Sequence, residues 1–282
     1  MNDNMGEMVK IIEQPATRYT LTETELKAFL DRLKEVIIKN KYLINEANKE
    51  DLKHSRKQIK IKEFIDIIEK YKQTQGFLTK ENERKIVIYK GEPYLTLHIY
   101  LQAYTQKTKV MLINQNFMNG VNAILFNIFN QVLAEYNITN LIDNTTSFSM
   151  QKYLEIKDAY NQTIVIGDST IYHLLEKSEN NIKFFPYNNI AIYCEDEKLE
   201  QLEEAIYIYA NENQCEIETI YADKLDDVIK IINNDTFKSM AVLITQNNEN
   251  REKFFYEIKN KEIFVNENPF KKEVGKIYNY LK

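Results

Sequence analysis

The chain has 282 residues, 44% of them hydrophobic, enough to bury one large core or two modest ones. Its formal charge of −5 comes from interspersed acidic and basic residues without the Lys/Arg block that tracks a phosphate backbone, so nucleic acid is not an expected partner. Apolar runs fall well short of the ~18 residues that span a bilayer, and the amino terminus MNDNMGEMVK is polar where a signal peptide would be apolar, so we expect a cytoplasmic protein with no membrane partner.

Cys194 and Cys215 are too few for a disulfide framework, and His54, His98 and His173 lack metal-ligand spacing, so no metal site is expected. Only 6 glycines are present, and glycine is what usually lets a backbone approach a pyrophosphate.

Residues 1–17 lack periodicity. Thr20–Glu23 and Thr22–Glu25 are alternative capping boxes for a helix whose apolar positions Leu26, Phe29, Leu30, Leu33, Val36 and Ile37 recur at helical spacing. Further helices are predicted over 43–52 and 59–71, with Gly76 closing the loop after them. The chain then alternates. Strands at 85–89, 109–113, 140–142, 163–166 and 182–185 are separated by helices at 95–104, 121–136, 147–160 (Ser147 as cap) and 170–177. A second run follows: strand 190–193, a helix, strand 218–221, helix 224–232, strand 240–245, helix 249–259, strand 262–265 and a final helix over 270–281.

This alternation predicts an α/β fold with a mostly parallel, doubly covered sheet over residues 1–186, including the amino-terminal helices, and a smaller α/β domain over 187–282.

Several stretches form a recognisable series along the chain. Ile44-Asn-Glu-Ala-Asn-Lys-Glu-Asp-Leu52 is similar to an early "I-x-x-A-N-x-x-D-L" signature, and Gly91-Glu-Pro93-Tyr94-Leu-Thr96 to the segment between the first core strand and helix. Lys109–Ile113 with Asn122–Tyr136 resembles the "G-N-A-V-x-L" strand and next helix, and Thr163-Ile-Val-Ile-Gly167-Asp-Ser-Thr170 the strand and glycine turn that meet the nucleotide. Asn189–Lys224 resembles the nucleophile region, and Leu243–Thr245 with Ile263–Asn266 the late strands. In this order, from about Thr20 to Phe270, the stretches resemble the aldehyde dehydrogenase superfamily, most closely its gamma-glutamyl phosphate reductase branch. The resemblance implies a Rossmann-like nucleotide-binding domain and an aldehyde-dehydrogenase-type second domain. That second domain is expected to be truncated, since only 222–239 fills the place of a larger family insert.

The resemblance further implies NADP or NAD as cofactor, if any is kept, and Cys215 as a thiolate nucleophile toward an acyl phosphate or aldehyde. Gly167, Ser169 and Thr170 would bind the cofactor. The residues themselves leave alternatives open. Cys215 also reads as an ordinary half-buried thiol, with Glu212 and Glu216 as neighbours that raise rather than lower a thiol pKa. Gly167-Asp168-Ser169-Thr170 also reads as a glycine turn with Asp168 or Ser169 capping a helix. Tyr94 stands where the family has the asparagine that stabilises an oxyanion. Cys194 is assigned to the core, and Glu203 and Glu204 to a solvated helix face. The expectation is an oxidoreductase-like protein with weak or lost catalysis; the alternative is a non-catalytic binding or regulatory protein on the same scaffold. A small-molecule substrate or a protein partner stays open. So does oligomerisation, although the usual family contacts are not expected.

Overall fold

The computed structural model describes residues 22–52, 59–73, 83–114, 119–138, 140–145, 148–177, 181–195, 200–212 and 215–269. The lead over 1–17, the Thr20 capping box, Gly76, the Ser147 cap and the final helix over 270–281 lie outside them.

Three helices come first: α1 (Glu23–Lys39), α2 (Lys41–Asp51) and α3 (Ile61–Gln73). At the start of α1, Thr22 and Glu25 form the reciprocal capping box, the Glu25 N–H donating to the Thr22 hydroxyl at 3.3 Å and the Thr22 N–H to the Glu25 carboxylate at 2.9 Å.

The first sheet is built from β1 (Arg84–Tyr89), β2 (Lys109–Asn114), β3 (Ile142–Thr145), β4 (Gln162–Ile166) and β5 (Ile182–Phe185), in the order β3-β2-β1-β4-β5. All its pairings are parallel. Its crossovers carry α4 (Pro93–Thr105), α5 (Asn119–Glu135), α6 (Met150–Ile156) and α7 (Ser169–Leu175).

The period-two alternation of the strands sorts their side chains by face. Val87, Tyr89, Val110, Leu112, Ile164 and Ile166 pack toward the α1–α5 layer, and Ile86, Ile88, Ile113 and Val165 toward Tyr153 of α6 and Leu175 of α7. Helix α4 is buried along its whole length, which explains why it has no solvated polar stripe, its polar residues Thr96, His98, Gln102 and Thr105 being buried with the rest. Pro93 at its first turn and Glu92 as N-cap set its start two residues before the predicted one.

The second sheet has order β7-β6-β8-β9 and is again wholly parallel. Its strands are β6 (Ile190–Cys194), β7 (Ile217–Thr219), β8 (Met240–Ile244) and β9 (Glu262–Val265), joined by α8 (Glu200–Glu212), α9 (Leu225–Asn234) and α10 (Asn248–Glu257). Ala191, Tyr193, Ala241 and Leu243 face α9 and Phe254 of α10, while Ile190, Ile192, Val242 and Ile244 face Ile206 of α8.

Several boundaries differ from the sequence expectation by a few residues, among them the ends of β7, which spans Ile217–Thr219 rather than 218–221. Strand β3 starts at Ile142 rather than Asn140, because the Asn140 carboxamide oxygen accepts the Ile142 N–H at 2.8 Å and the Tyr104 hydroxyl at 3.0 Å, holding a turn before the ladder. The helix expected over 147–160 closes at Ile156 into a 3-10 turn over Lys157–Ala159. Among the described residues no helix is long and apolar enough to cross a membrane.

Candidate functional site

In the first sheet the chain runs from β1 outward through β2 to β3 and then returns to β4 on the other side of β1. An open parallel sheet with that reversal binds ligands at the carboxyl ends of the strands flanking it. Here those ends are Lys90-Gly91-Glu92 after β1 and Gly167-Asp168-Ser169 after β4, so the glycine turn stands at the crevice.

Gly167 has φ +76°, and a Cβ on it would lie 3.0 Å from the Tyr187 carbonyl oxygen, so both conformation and close approach require glycine. Asp168 is the N-cap of α7, its carboxylate accepting the Ile171 N–H at 2.9 Å. Asp168 thus caps α7, as one reading of the turn expects. Thr170 is exposed on the first turn of α7.

Ser169 is met from the second sheet. Its N–H and hydroxyl each donate at 2.8 Å to the carboxylate of Glu216, the residue after Cys215. Glu216 also accepts the Asn189 side-chain amide at 2.9 Å and lies 3.9 Å from Lys90 Nζ. The neighbour that in sequence looked like a burden on the Cys215 thiol thus spends its charge on another partner. Cys215 itself is half-buried and in no disulfide, its N–H donating to the Ala210 carbonyl at 2.9 Å. The fold therefore brings the segment of Cys215 to Ser169 and Gly167, through Glu216.

Tyr94 points elsewhere. Its ring is buried against Phe64 at 4.9 Å between centroids, and its hydroxyl accepts the Lys60 N–H at 2.7 Å, at the approach to α3. Burial holds the phenol in its neutral form, well above the ordinary range. The other motif residues also have structural roles. Thr96 donates to Asn122 at 2.7 Å and sits 2.6 Å from the Tyr89 hydroxyl, while the Asn122 amide donates to the Gly91 carbonyl. In the early signature, Ile44 and Asn48 are buried, and the Asp51 carboxylate accepts the N–H groups of Gly120 and Val121 at the start of α5.

The described residues at this edge do not offer a dinucleotide the donors it needs. A pyrophosphate needs unclaimed N–H groups and positive potential at a helix start. The helices that flank the reversal, α4 and α7, and α5 beside them instead begin on the chain's own carboxylates: Glu92 on Leu95 N–H for α4, Asp51 for α5, and Asp168 with Glu216 for α7, whereas α6 at the far side begins at Ser149 without a side-chain cap. At ~4 Å, like charges cost about 1 kcal/mol in water and several times that at a protein surface.

Cys194, which the sequence assigned to the core, packs against the cluster of Ile190, Ile192 and Ile206 and also lines a cleft. It is half-buried in an open cleft of about 630 Å³ at the carboxyl ends of β6 and β7, beside Glu195, Glu203, Thr219, Tyr221 and Asp223. Neither the cleft nor the Glu216 contact has a local signal in the sequence.

No family model matches the sequence, and no curated protein matches it. Solved structures do match. Gamma-glutamyl phosphate reductase from Thermotoga maritima superposes with a TM-score of 0.51 at 13% identity, covering 87% of this chain and 83% of that one. Aldehyde dehydrogenase 21 from Physcomitrella patens, in complex with the reaction product succinate, gives 0.59 at 10% identity over 88% and 79% of the two chains. The chain has the aldehyde dehydrogenase superfamily fold. An NAD-dependent benzaldehyde dehydrogenase from Corynebacterium glutamicum gives 0.56 at 10% identity, over 88% and 82%. At these identities the likeness establishes the aldehyde dehydrogenase architecture and leaves chemistry to the residues of the site.

Proposed function

We propose that the protein is an oxidoreductase-like member of the aldehyde dehydrogenase superfamily, of gamma-glutamyl phosphate reductase type, in which nicotinamide-dependent catalysis is weak or lost. Residues 1–186 form its nucleotide-binding-like part and 187–282 its shortened catalytic-like part. The observation that carries the reading is Tyr94. At the place where the family resemblance implies an oxyanion-stabilising asparagine, the side chain is a phenol engaged with the Lys60 backbone, which removes a donor from a developing oxyanion. The carboxylates at the first sheet's edge support the same reading from the cofactor side. Cys215 remains the residue assigned as nucleophile in whatever turnover persists, and the proposed setting is the cytoplasm, in keeping with two cysteines that form no disulfide.

The test is NADPH fluorescence titration combined with the pH dependence of thiol labelling at Cys215. The expected result is no saturable NADPH binding and an ordinary thiol titration. Saturable binding together with a low-pKa thiol would overturn the proposal.

A further inference from the structure

The same polar arrangement recurs at both sheets. In the second sheet the reversal lies between β6 and β8, and there the Glu195 carboxylate is held by the Thr245 hydroxyl and the Asn250 side-chain amide. In the first sheet the reversal lies between β1 and β4, and the Glu216 carboxylate is held by Ser169, Asn189 and Lys90. In both places, where a parallel sheet ordinarily takes its ligand, a glutamate of the chain itself provides the anion.

The two differ in reach. Glu195 stays within its own sheet, extending from the end of β6 to the start of α10. Glu216 precedes β7 of the second sheet and contacts α7 of the first, with Asn189 at the entry to β6 completing the bridge. Its carboxylate is largely shielded, with 19% of the side chain exposed, and it accepts three hydrogen bonds. Hydrogen bonds to a charged group are stronger than the neutral kind.

We infer that Glu216 is a resident anion that closes the first sheet's ligand crevice and ties the Cys215 segment to the Gly167–Ser169 turn. The tie makes the exposure of Cys215 depend on a contact with the other sheet. Glu216, next to Cys215, is held in its own sheet through its carbonyl, which accepts the Ile190 N–H at 2.8 Å, while its carboxylate links the segment to Ser169 of the first sheet. This inference rests on the geometry of Glu216 and not on whether turnover persists.

The experiment follows Cys215 directly, without NADPH, so it fails separately from the proposed function. In a Cys194→Ser background, the rate of alkylation at Cys215 by iodoacetamide is measured for Glu216→Ala and for Ser169→Ala, alongside hydrogen exchange of the Ser169 amide. Removing the carboxylate is expected to speed alkylation about tenfold and to strip protection from Ser169, while α1 and α5 keep theirs. Ser169→Ala, which keeps the backbone donor, is expected to give about threefold. Unchanged alkylation rates in folded variants overturn the inference, as does a uniform loss of protection across the molecule. If Glu216→Ala does not fold, the Ser169→Ala rate decides alone.

Discussion

The Tyr94 hydroxyl accepts the backbone N–H of Lys60 at 2.7 Å, joining the first turn of α4 to the approach of α3. Restoring the residue that the family resemblance implies should therefore harm the protein before it helps any chemistry. Tyr94→Asn is expected to cost about 3 kcal/mol, mainly from the cavity beside Phe64, and Tyr94→Phe about 1 kcal/mol from the unmet Lys60 N–H. Urea unfolding measures both. A Tyr94→Asn variant as stable as the parent would show that the ring is not part of the core.

Asp51 makes a second prediction. It ends α2 yet accepts two amides at the start of α5, Gly120 at 3.1 Å and Val121 at 3.0 Å. Asp51→Ala is expected to lower stability by about 1–2 kcal/mol, and Asp51→Asn by about half that, since the amide retains an acceptor but loses the charge opposite the helix dipole. Equal stability of Asp51→Ala and the parent in urea would remove the capping role.

His98 carries the pH dependence. It lies buried on α4 beside Tyr71, and burial pulls its pKa down from the ordinary 6.5 to about 4, with Lys70 adding to the effect and Glu92 opposing it. Between these two values the unfolded chain binds the proton and the folded one does not. Stability contributed by the neutral imidazole is thus complete above pH 6.5 and declines as pH falls toward 4, by roughly 3 kcal/mol over the window. His98→Gln should flatten that part of the stability-against-pH curve. Parallel curves for the two proteins would assign the acid sensitivity to other groups.

Much of the fold was legible because its signals are local. Thr22 and Glu25 lie three residues apart and cap one helix, and the alternating Ile86, Val87 and Ile88 of β1 declare a strand buried on both faces. Gly167 followed by Asp168 announces a turn and a cap, and both are present with the expected chemistry. The order of strands and helices then restricts the topology to a parallel, doubly covered sheet, because such crossovers are right-handed and short.

The site was less legible, because the contacts that join its parts are distant in the chain. Glu216 reaches Ser169 across 47 residues, Tyr94 reaches Lys60 across 34, and Asp51 reaches Gly120 across 69. Local propensity acts over three or four residues and sets where a helix begins, but not which carboxylate will meet it. That choice depends on how α2 lies on α5 and how the second sheet meets the first, which is settled by burying the apolar faces together. Sequence by itself determined the alternating architecture and placed Cys215 near a glycine turn by family resemblance. Only the tertiary structure decided that the turn's donors go to Glu216 and that Tyr94 faces away, since side-chain partners follow from packing once the strands are in register.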